Sequence, residues 1–481
     1  MKKSRHTFGY WQWRVIIGSM IGYSVFYFVR KNFSFAMPAL GAEYGITDTS
    51  FGVILTLAGL VYGLSKFLNG FIADRANARW HLVVGLSACV VLNLIFGWSA
   101  DISHWITGQD KGPDFINAMV AVMAVLLLLN NGFQGAGFGP CNRLMVHWIP
   151  PRELATKMSI WNMSHSIGAA IVSIVCGAII GGLGMNLSSD SAVLAEIAGN
   201  LGRDVSDPVV SQAAAHVGAW RWCFWIPAAI GAVGVLFIIL VLRDTPSSVG
   251  LPELPGTKTD LDDDPSSKGY RKFVMEKVFK NPVVWIVAST ALLLYIVRFA
   301  VMDWGPKFLQ QGHQLSPELA GWTIGIFEMA GCLGMLVAGW VTDHWFHSRG
   351  QRVCVIEMLL TGVCLLAIHL LPEGTSPVVM LILLALAGFF LYGPQALFAV
   401  ITGNQVTKKA ASAAAGFIGL FSYLSVFFTG TGIGMLSDRF GHAFWDNLFL
   451  IMALVAIAGG VLIATIWNIK EDGYIHENKT L

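Results

Sequence analysis

The sequence predicts an all-α membrane protein of 12 transmembrane helices, arranged as two pseudo-symmetric six-helix bundles with both termini cytoplasmic. Three observations carry that reading. Of 481 residues, 55% are hydrophobic and only 12% are charged, about half the charge of a soluble domain, and mean hydropathy is +0.63. Twelve apolar stretches reach the roughly 20 residues that a helix needs to cross a bilayer. Charged features of the first half also recur in the second at a near-constant offset. This composition excludes a disordered chain, a coiled coil and nearly every cytosolic enzyme. A balance of 31 basic to 29 acidic residues offers no nucleic-acid surface.

The apolar stretches fall at about 15–40, 51–73, 80–100, 116–142, 158–184, 220–242, 283–306, 318–341, 353–372, 377–401, 413–437 and 444–468. Lipid offers the backbone no hydrogen-bond partners, so stretches of this length are helices. The basic start (Lys2, Lys3, Arg5) and the first run resemble a signal peptide. That run extends to about Leu40 and contains Arg30, too long for a signal core of about 7–15 residues, and is expected to be an uncleaved span. One long polar segment interrupts the middle of the chain. It opens with Arg243-Asp244-Thr245-Pro246 and holds the acidic cluster Asp260, Asp262, Asp263 and Asp264. The expected domains are thus 1–243, a cytoplasmic linker 244–282, and 283–481. With the N-terminus inside, 22 Lys and Arg residues face the cytoplasm and five face outward, which sets the orientation. The seven cysteines are scattered and form no CxxC pair, so they are expected to be small core hydrophobes.

Gly70-Phe71-Ile72-Ala73-Asp74-Arg75 with Arg79 closes the second span, and Gly339 to Asp343 with Arg349 closes the eighth, an offset of 269. Arg30 and Arg298 are offset by 268. Two parallel six-helix repeats with a site between them form a transporter architecture. The loop signature resembles that of the major facilitator superfamily. Asp74, Arg75, Arg79 and Asp343 are expected to act in gating or to lock helix ends. Glycine pairs at Gly59/Gly63, Gly177/Gly181, Gly321/Gly325 and Gly430/Gly434 have the spacing of close helix packing, while Gly139-Pro140 and Gly393-Pro394 read as bends.

A charge at mid-membrane costs about 2.5–3.5 kcal/mol on insertion scales and calls for a function. Arg30 and Arg298 each lie 15 residues into a span of the same direction, hence at similar depth. A guanidinium is a rigid fork of donors suited to phosphate or carboxylate. The competing reading pairs each arginine with a carboxylate, for which Asp303, Glu328 and Glu357 are available. Lys66 and His165 both lie about 10–12 Å inside the cytoplasmic boundary, a depth that lets them flank one cavity. His165 has a reference pKa near 6.5, close to the second pKa of a phosphate ester near 6, and is suited to hold the dianion. Lys66 otherwise extends toward the interface. Tyr23, Tyr27, Tyr62 and Tyr295 accompany the charged positions and offer hydroxyls to a ligand or rings to packing. There is no phosphate-binding ATP loop, no zinc-ligand spacing and no nucleophile-base set, so neither a cofactor nor catalysis is expected.

With those residues in view, the chain resembles the organophosphate:phosphate antiporters of that superfamily. The segments that carry the likeness are Gly22-Tyr23 through Tyr27 to Phe33, Tyr62 to Phe67, Phe133-Gln134-Gly135, Met145 to Trp148, Trp161-Asn162 with His165, Arg298 to Trp304, Tyr392-Gly393-Pro394 and Gly416 to Tyr423. The resemblance implies a major facilitator fold, phosphate binding by Arg30 and Arg298, and positions on the substrate path for His165 and Lys66. It implies influx of a phosphate ester coupled to efflux of inorganic phosphate. Met145 to Trp148 and Asp303-Trp304 incline the ester toward glycerol-3-phosphate, with hexose phosphate or phosphoglycerate as alternatives. Asn142, Gly139 and the long outward loop 185–219 depart from the pattern and bear on the organic moiety more than on phosphate. The family also holds a sugar-phosphate sensor that signals rather than transports. A proton-coupled symporter, with Glu328 and Glu357 as proton carriers, is the rival within transport. The expected partners are the ester, phosphate and the bilayer, in a monomer of the bacterial inner membrane; Asp303 and Glu328 are otherwise expected to be structural.

Overall fold

Span one is two helices, Phe8–Phe28 and Phe33–Tyr44, in a computed structural model that describes residues 7–254, 272, 274–347, 349–372 and 375–469. The acidic linker cluster, Lys2, Lys3 and Arg5 lie outside the described residues. Among the described residues, eleven further helical stretches are long and apolar enough to cross a membrane, and the extended structure is one antiparallel bridge between Met185 and Val217. The all-α, multi-pass prediction holds.

The first span departs from the continuous helix expected over 15–40. It begins at Phe8, where Thr7 Oγ1 accepts from Tyr10 N at 3.4 Å. It breaks between Val29 and Asn32 and resumes at Phe33. The break is held by amide side chains of other spans. The Val29 carbonyl accepts from Asn93 Nδ2 at 3.0 Å, Asn130 Nδ2 at 2.8 Å and Gln134 Nε2 at 3.4 Å. Asn32 Nδ2 donates to Asn93 Oδ1 and to the Cys223 carbonyl, each at 2.8 Å. Irregular backbone at membrane depth persists only where protein satisfies it, and this polar knot does so.

Span two is Asp48–Arg75 and span three Ala78–Phe96; span four is Pro113–Gln134 followed by Phe138–Trp148. The interruption of span four lies at Gly135-Ala136-Gly137, just before the expected bend at Gly139-Pro140. A Cβ on Gly135 would meet Ser65 C at 2.6 Å and Lys66 N at 2.7 Å, so this thin point lets spans two and four touch. Pro151–Gly182 and Trp222–Val241 are spans five and six. The linker's first residue pair is fastened down: Asp244 accepts from Ala78 N at 2.7 Å and pairs with Arg143 at 3.4 Å.

Span seven runs Pro282–Phe299 and continues through wide turns to Gly312; span eight is Pro317–His344 and span nine Gly350–His369. Spans ten and eleven are two membrane-length stretches as expected, Pro377–Thr402 and Ala414–Phe440, but helix continues through the connection between them, from Pro377 to Val426. The alanine-rich connection (Ala410, Ala411, Ala413, Ala414, Ala415) has high helix propensity and does not unwind. Span twelve is His442–Ala464. All seven cysteines are buried and unbridged.

Contacts gather the chain into two compact units. The first comprises Met1–Lys258, Asp303–Gly325 and Gly430–Asp438, the second Thr259–Met302, Ile326–Thr429 and Arg439–Leu481. Glycines pack the first unit as their spacing predicts: a Cβ on Gly177 would meet Pro317 O at 2.6 Å, and one on Gly321 would meet Ser173 O at 2.6 Å. The start of span two is capped by Asp438, which accepts from Asp48 N at 3.0 Å and Thr49 N at 2.7 Å. Asp48 itself pairs with buried Lys307. The long loop of this unit folds into helices Ser191–Leu201 and Pro208–Ala214 over a small core of Ile197, Ala198, Val210 and Ala214 against Ala42. In the second unit, span eight meets span ten at Gly331, where a Cβ would come within 2.6 Å of the Tyr392 ring. That approach places Glu328 beside Tyr392.

Candidate functional site

In the first unit the predicted residues assemble around an aromatic platform. Arg30, in the break of span one, lies with its guanidinium carbon 3.6 Å from the centroid of Tyr62 and 5.5 Å from that of Tyr27. A planar cation is attracted to the negative face of such a ring, by about 2 kcal/mol where water is excluded. Tyr62 is buried and has Tyr23 and Arg30 as hydrogen-bonding neighbours. Tyr23 packs edge-on to Tyr27 at 5.7 Å and lies 5.1 Å from Trp161. Trp161 is tied to Ser19 Oγ at 3.1 Å.

His165 stands one turn beyond Trp161, with its ring 6.2 Å from Tyr27. Its Nδ1 faces the Asn162 carbonyl. A carbonyl only accepts, so Nδ1 carries a proton in this contact. Lys66 Nζ sits 4.3 Å over the Phe138 ring, which itself packs on Trp161 at 5.9 Å. Spans one, two, four and five thus bring Arg30, Tyr23, Tyr27, Tyr62, Lys66 and His165 into one cluster.

In the second unit Arg298 is held by polar groups. Its Nε donates to Tyr392 Oη at 2.9 Å and its Nη1 to Gln395 Oε1 at 3.0 Å. Glu328 Oε1 lies 3.6 Å from Nη2 and accepts from the Tyr392 hydroxyl. Tyr295 offers its ring at 5.8 Å. Glu328 is fully buried and Arg298 is 8% exposed. Of the carboxylates open to Arg298 from sequence, Glu328 is the neighbour, while Glu357 Oε2 is buried without a partner among the described residues.

Two clusters built around intramembrane arginines therefore sit in a chain of transporter architecture, and the sequence model of the Major Facilitator Superfamily matches residues 19–430. The chain is 32% identical to the glycerol-3-phosphate transporter of Bacillus subtilis (strain 168) over 462 residues, 95% of this chain and 92% of that one. The chain belongs to the organophosphate:phosphate antiporter family of that superfamily. It is 30% identical over 483 residues to a probable hexose phosphate transport protein of Chlamydia pneumoniae, covering 97% of this chain and 93% of that one. Its fold is that of the inward open xylose transporter XylE from E. coli, with TM-score 0.68, 12% identity and coverage of 98% and 99%. The family and the fold are those of transporters, not enzymes.

Membership of this family gives meaning to the remaining charges. Lys31 pairs with Asp303 at 2.6 Å, both sides half-buried, and Ser34 Oγ reaches the same carboxylate at 3.4 Å. The sequence offers Asp303 as a partner for Arg298, though five residues is a poor helical spacing, and the structure turns it to the lysine that follows Arg30. In a continuous helix Lys31 would point about 100° away from Arg30; the non-helical break at 29–32 frees it from that geometry. Arg79 stacks at 5.0 Å on Trp80, and Arg75 and Asp343 are exposed. The Asp74 side chain lies outside the described residues.

Sequence reasoning missed four contributors. Phe138 is the seat of Lys66, and Gln395 is an acceptor for Arg298. Asn93 and Asn130 hold the break that displays Arg30. Their signal was available: an uncharged amide inside an apolar span needs a partner as a charge does.

Proposed function

We propose that the chain is a secondary antiporter that exchanges an organic phosphate ester, glycerol-3-phosphate first, for inorganic phosphate by alternating access in a bacterial inner membrane. Both termini are cytoplasmic in this reading, and the protein works as a monomer. The observation that carries it is the pair of intramembrane arginines, each already seated among rings and hydroxyls. A guanidinium fork matches two phosphoryl oxygens and keeps its charge at any working pH. Arg30 and Arg298 each bind phosphate in this reading, with Lys66 and His165 along the substrate path. Tyr23, Tyr27, Tyr62 and Tyr295 supply hydroxyls and ring faces.

Glu328 has a natural part in exchange. It stands 3.6 Å from Arg298 without a direct hydrogen bond to it, close enough to neutralise the arginine when phosphate has left and loose enough to yield to a dianion. The relatives named above support a phosphate-ester substrate; hexose phosphates and phosphoglycerate are the other candidates.

The test is uptake of labelled glycerol-3-phosphate and glucose-6-phosphate into proteoliposomes, with or without trapped phosphate. Uptake of one ester only against trapped phosphate is expected. Saturable binding without flux would replace the antiporter with a sensor. A second reading, proton-coupled symport, has one kind of observation in its favour: Glu328 Oε2 and Glu357 Oε2 are both buried without a hydrogen-bond partner among the described residues. Uptake that collapses with an uncoupler at fixed internal phosphate would establish it.

A further inference from the structure

Gln395 is joined to Arg298 through one edge of its carboxamide. Tyr392 and Gln395 are three residues apart on span ten and so lie on one face of the helix. From that face each presents an oxygen to the same guanidinium, at 2.9 Å and 3.0 Å. Arginine has donors and no acceptor, so the edge of Gln395 that meets it must be the oxygen. The planar amide then turns its NH2 away from Arg298. Among the described residues that nitrogen meets no acceptor, and the Gln395 side chain stays partly accessible where Arg298 and Tyr392 are buried.

We propose that Gln395 determines specificity: its Nε2 donates to an oxygen of the organic moiety of an ester whose phosphoryl group Arg298 holds. The inference rests on the phosphate-ester reading above. An uncharged amide is matched to a hydroxyl, as a guanidinium is matched to a phosphoryl oxygen. Its NH2 stands roughly 5 Å from Arg298 Nη1 when amide dimensions are added to the hydrogen-bond length. That reach suits a hydroxyl one or two carbons from the phosphate. Inorganic phosphate has no such group, so the contact distinguishes the two substrates of an exchange.

The test is displacement of labelled inorganic phosphate from the purified full-length protein by unlabelled phosphate, glycerol-3-phosphate and glucose-6-phosphate. Wild type, Gln395→Met and Gln395→Asn are compared, together with flux in phosphate-loaded proteoliposomes. Gln395→Met keeps the side-chain length and removes both the NH2 donor and the oxygen that meets Arg298, whose guanidinium keeps its bond to Tyr392 Oη. The expected result is about a tenfold loss of affinity for the preferred ester, the value of one lost hydrogen bond, with phosphate affinity within about twofold. Gln395→Asn should recover part of the loss and change the ranking of the two esters. Equal losses for ester and phosphate would overturn the proposal and leave Gln395 as a positioning residue for Arg298. Unchanged affinities would overturn it outright. Because binding is read separately from flux, wild-type binding without exchange would sink the antiport reading while the Gln395 comparison still decides this one.

Discussion

Arg30 and Arg298 occupy matching places in the two sequence repeats, yet their surroundings differ in kind. Arg30 rests on a ring, 3.6 Å from the Tyr62 centroid, in a break between helices. Arg298 is inside the end of a helix, with two directed hydrogen bonds and a carboxylate beside it. A ring face holds a cation with little demand on its orientation, whereas two acceptors and a carboxylate fix a fork in plane. The repeat therefore preserved the charge and its depth while each half built a different holder. Arg30 is thus held with freedom to turn and Arg298 is held in a fixed plane.

The largest test of the comparison removes each charge. Arg30→Ala and Arg298→Ala should each abolish exchange, lowering it at least a hundredfold, while the protein still reaches the membrane at normal levels. Full activity in both would show that neither arginine binds substrate.

The sharper test keeps the charge and removes the fork. A lysine ammonium still sits over an aromatic face but cannot serve Tyr392 and Gln395 in one plane. Arg30→Lys should retain exchange within about tenfold, and Arg298→Lys should fall by about a hundredfold. The readout is initial rate in phosphate-loaded vesicles. Equal losses would mean that the two holders work alike.

A third test breaks the holder of Arg30 without touching the arginine. Asn130→Leu leaves the Val29 carbonyl short of its 2.8 Å donor, and an uncompensated buried polar group costs about 1–3 kcal/mol. The midpoint of thermal unfolding should fall and Arg30-dependent phosphate binding should weaken, whereas Arg298→Lys should leave that midpoint within a degree or two. An unaltered midpoint in Asn130→Leu would show that the break does not depend on the amides.

Much of this was legible in the chain. Spans, repeats and intramembrane charges are local features, and the cost of burying a charge singles out Arg30 and Arg298 without a structure. Glycine spacing likewise announced the close approaches of Gly177 with Pro317 and of Gly321 with Ser173. What was not legible depends on partners distant in sequence. Nothing near Val29 announces a break, because its donors come from residues 93, 130 and 134. Lys31 could not be matched with Asp303, 272 residues away, while the helix was taken as continuous. Gln395 was hidden for a related reason: its amide calls for partners, but which edge is taken depends on Arg298, 97 residues away.

The smallest effect divides the hydroxyl of Tyr62 from its ring. If the platform under Arg30 acts mainly through the aromatic face, Tyr62→Phe keeps the cation–π contact and loses only hydrogen bonding with Tyr23 and Arg30. Affinity for phosphate should then drop by about twofold to fivefold. Tyr62→Leu removes the face as well, and a desolvated contact worth about 2 kcal/mol corresponds to a loss of some thirtyfold. Displacement binding on the purified variants reads both. A phenylalanine variant as weak as the leucine one would transfer the weight from ring to hydroxyl. Arg30 would then be held by directed polar contacts as Arg298 is, and the contrast between the two halves would narrow to the choice of acceptors.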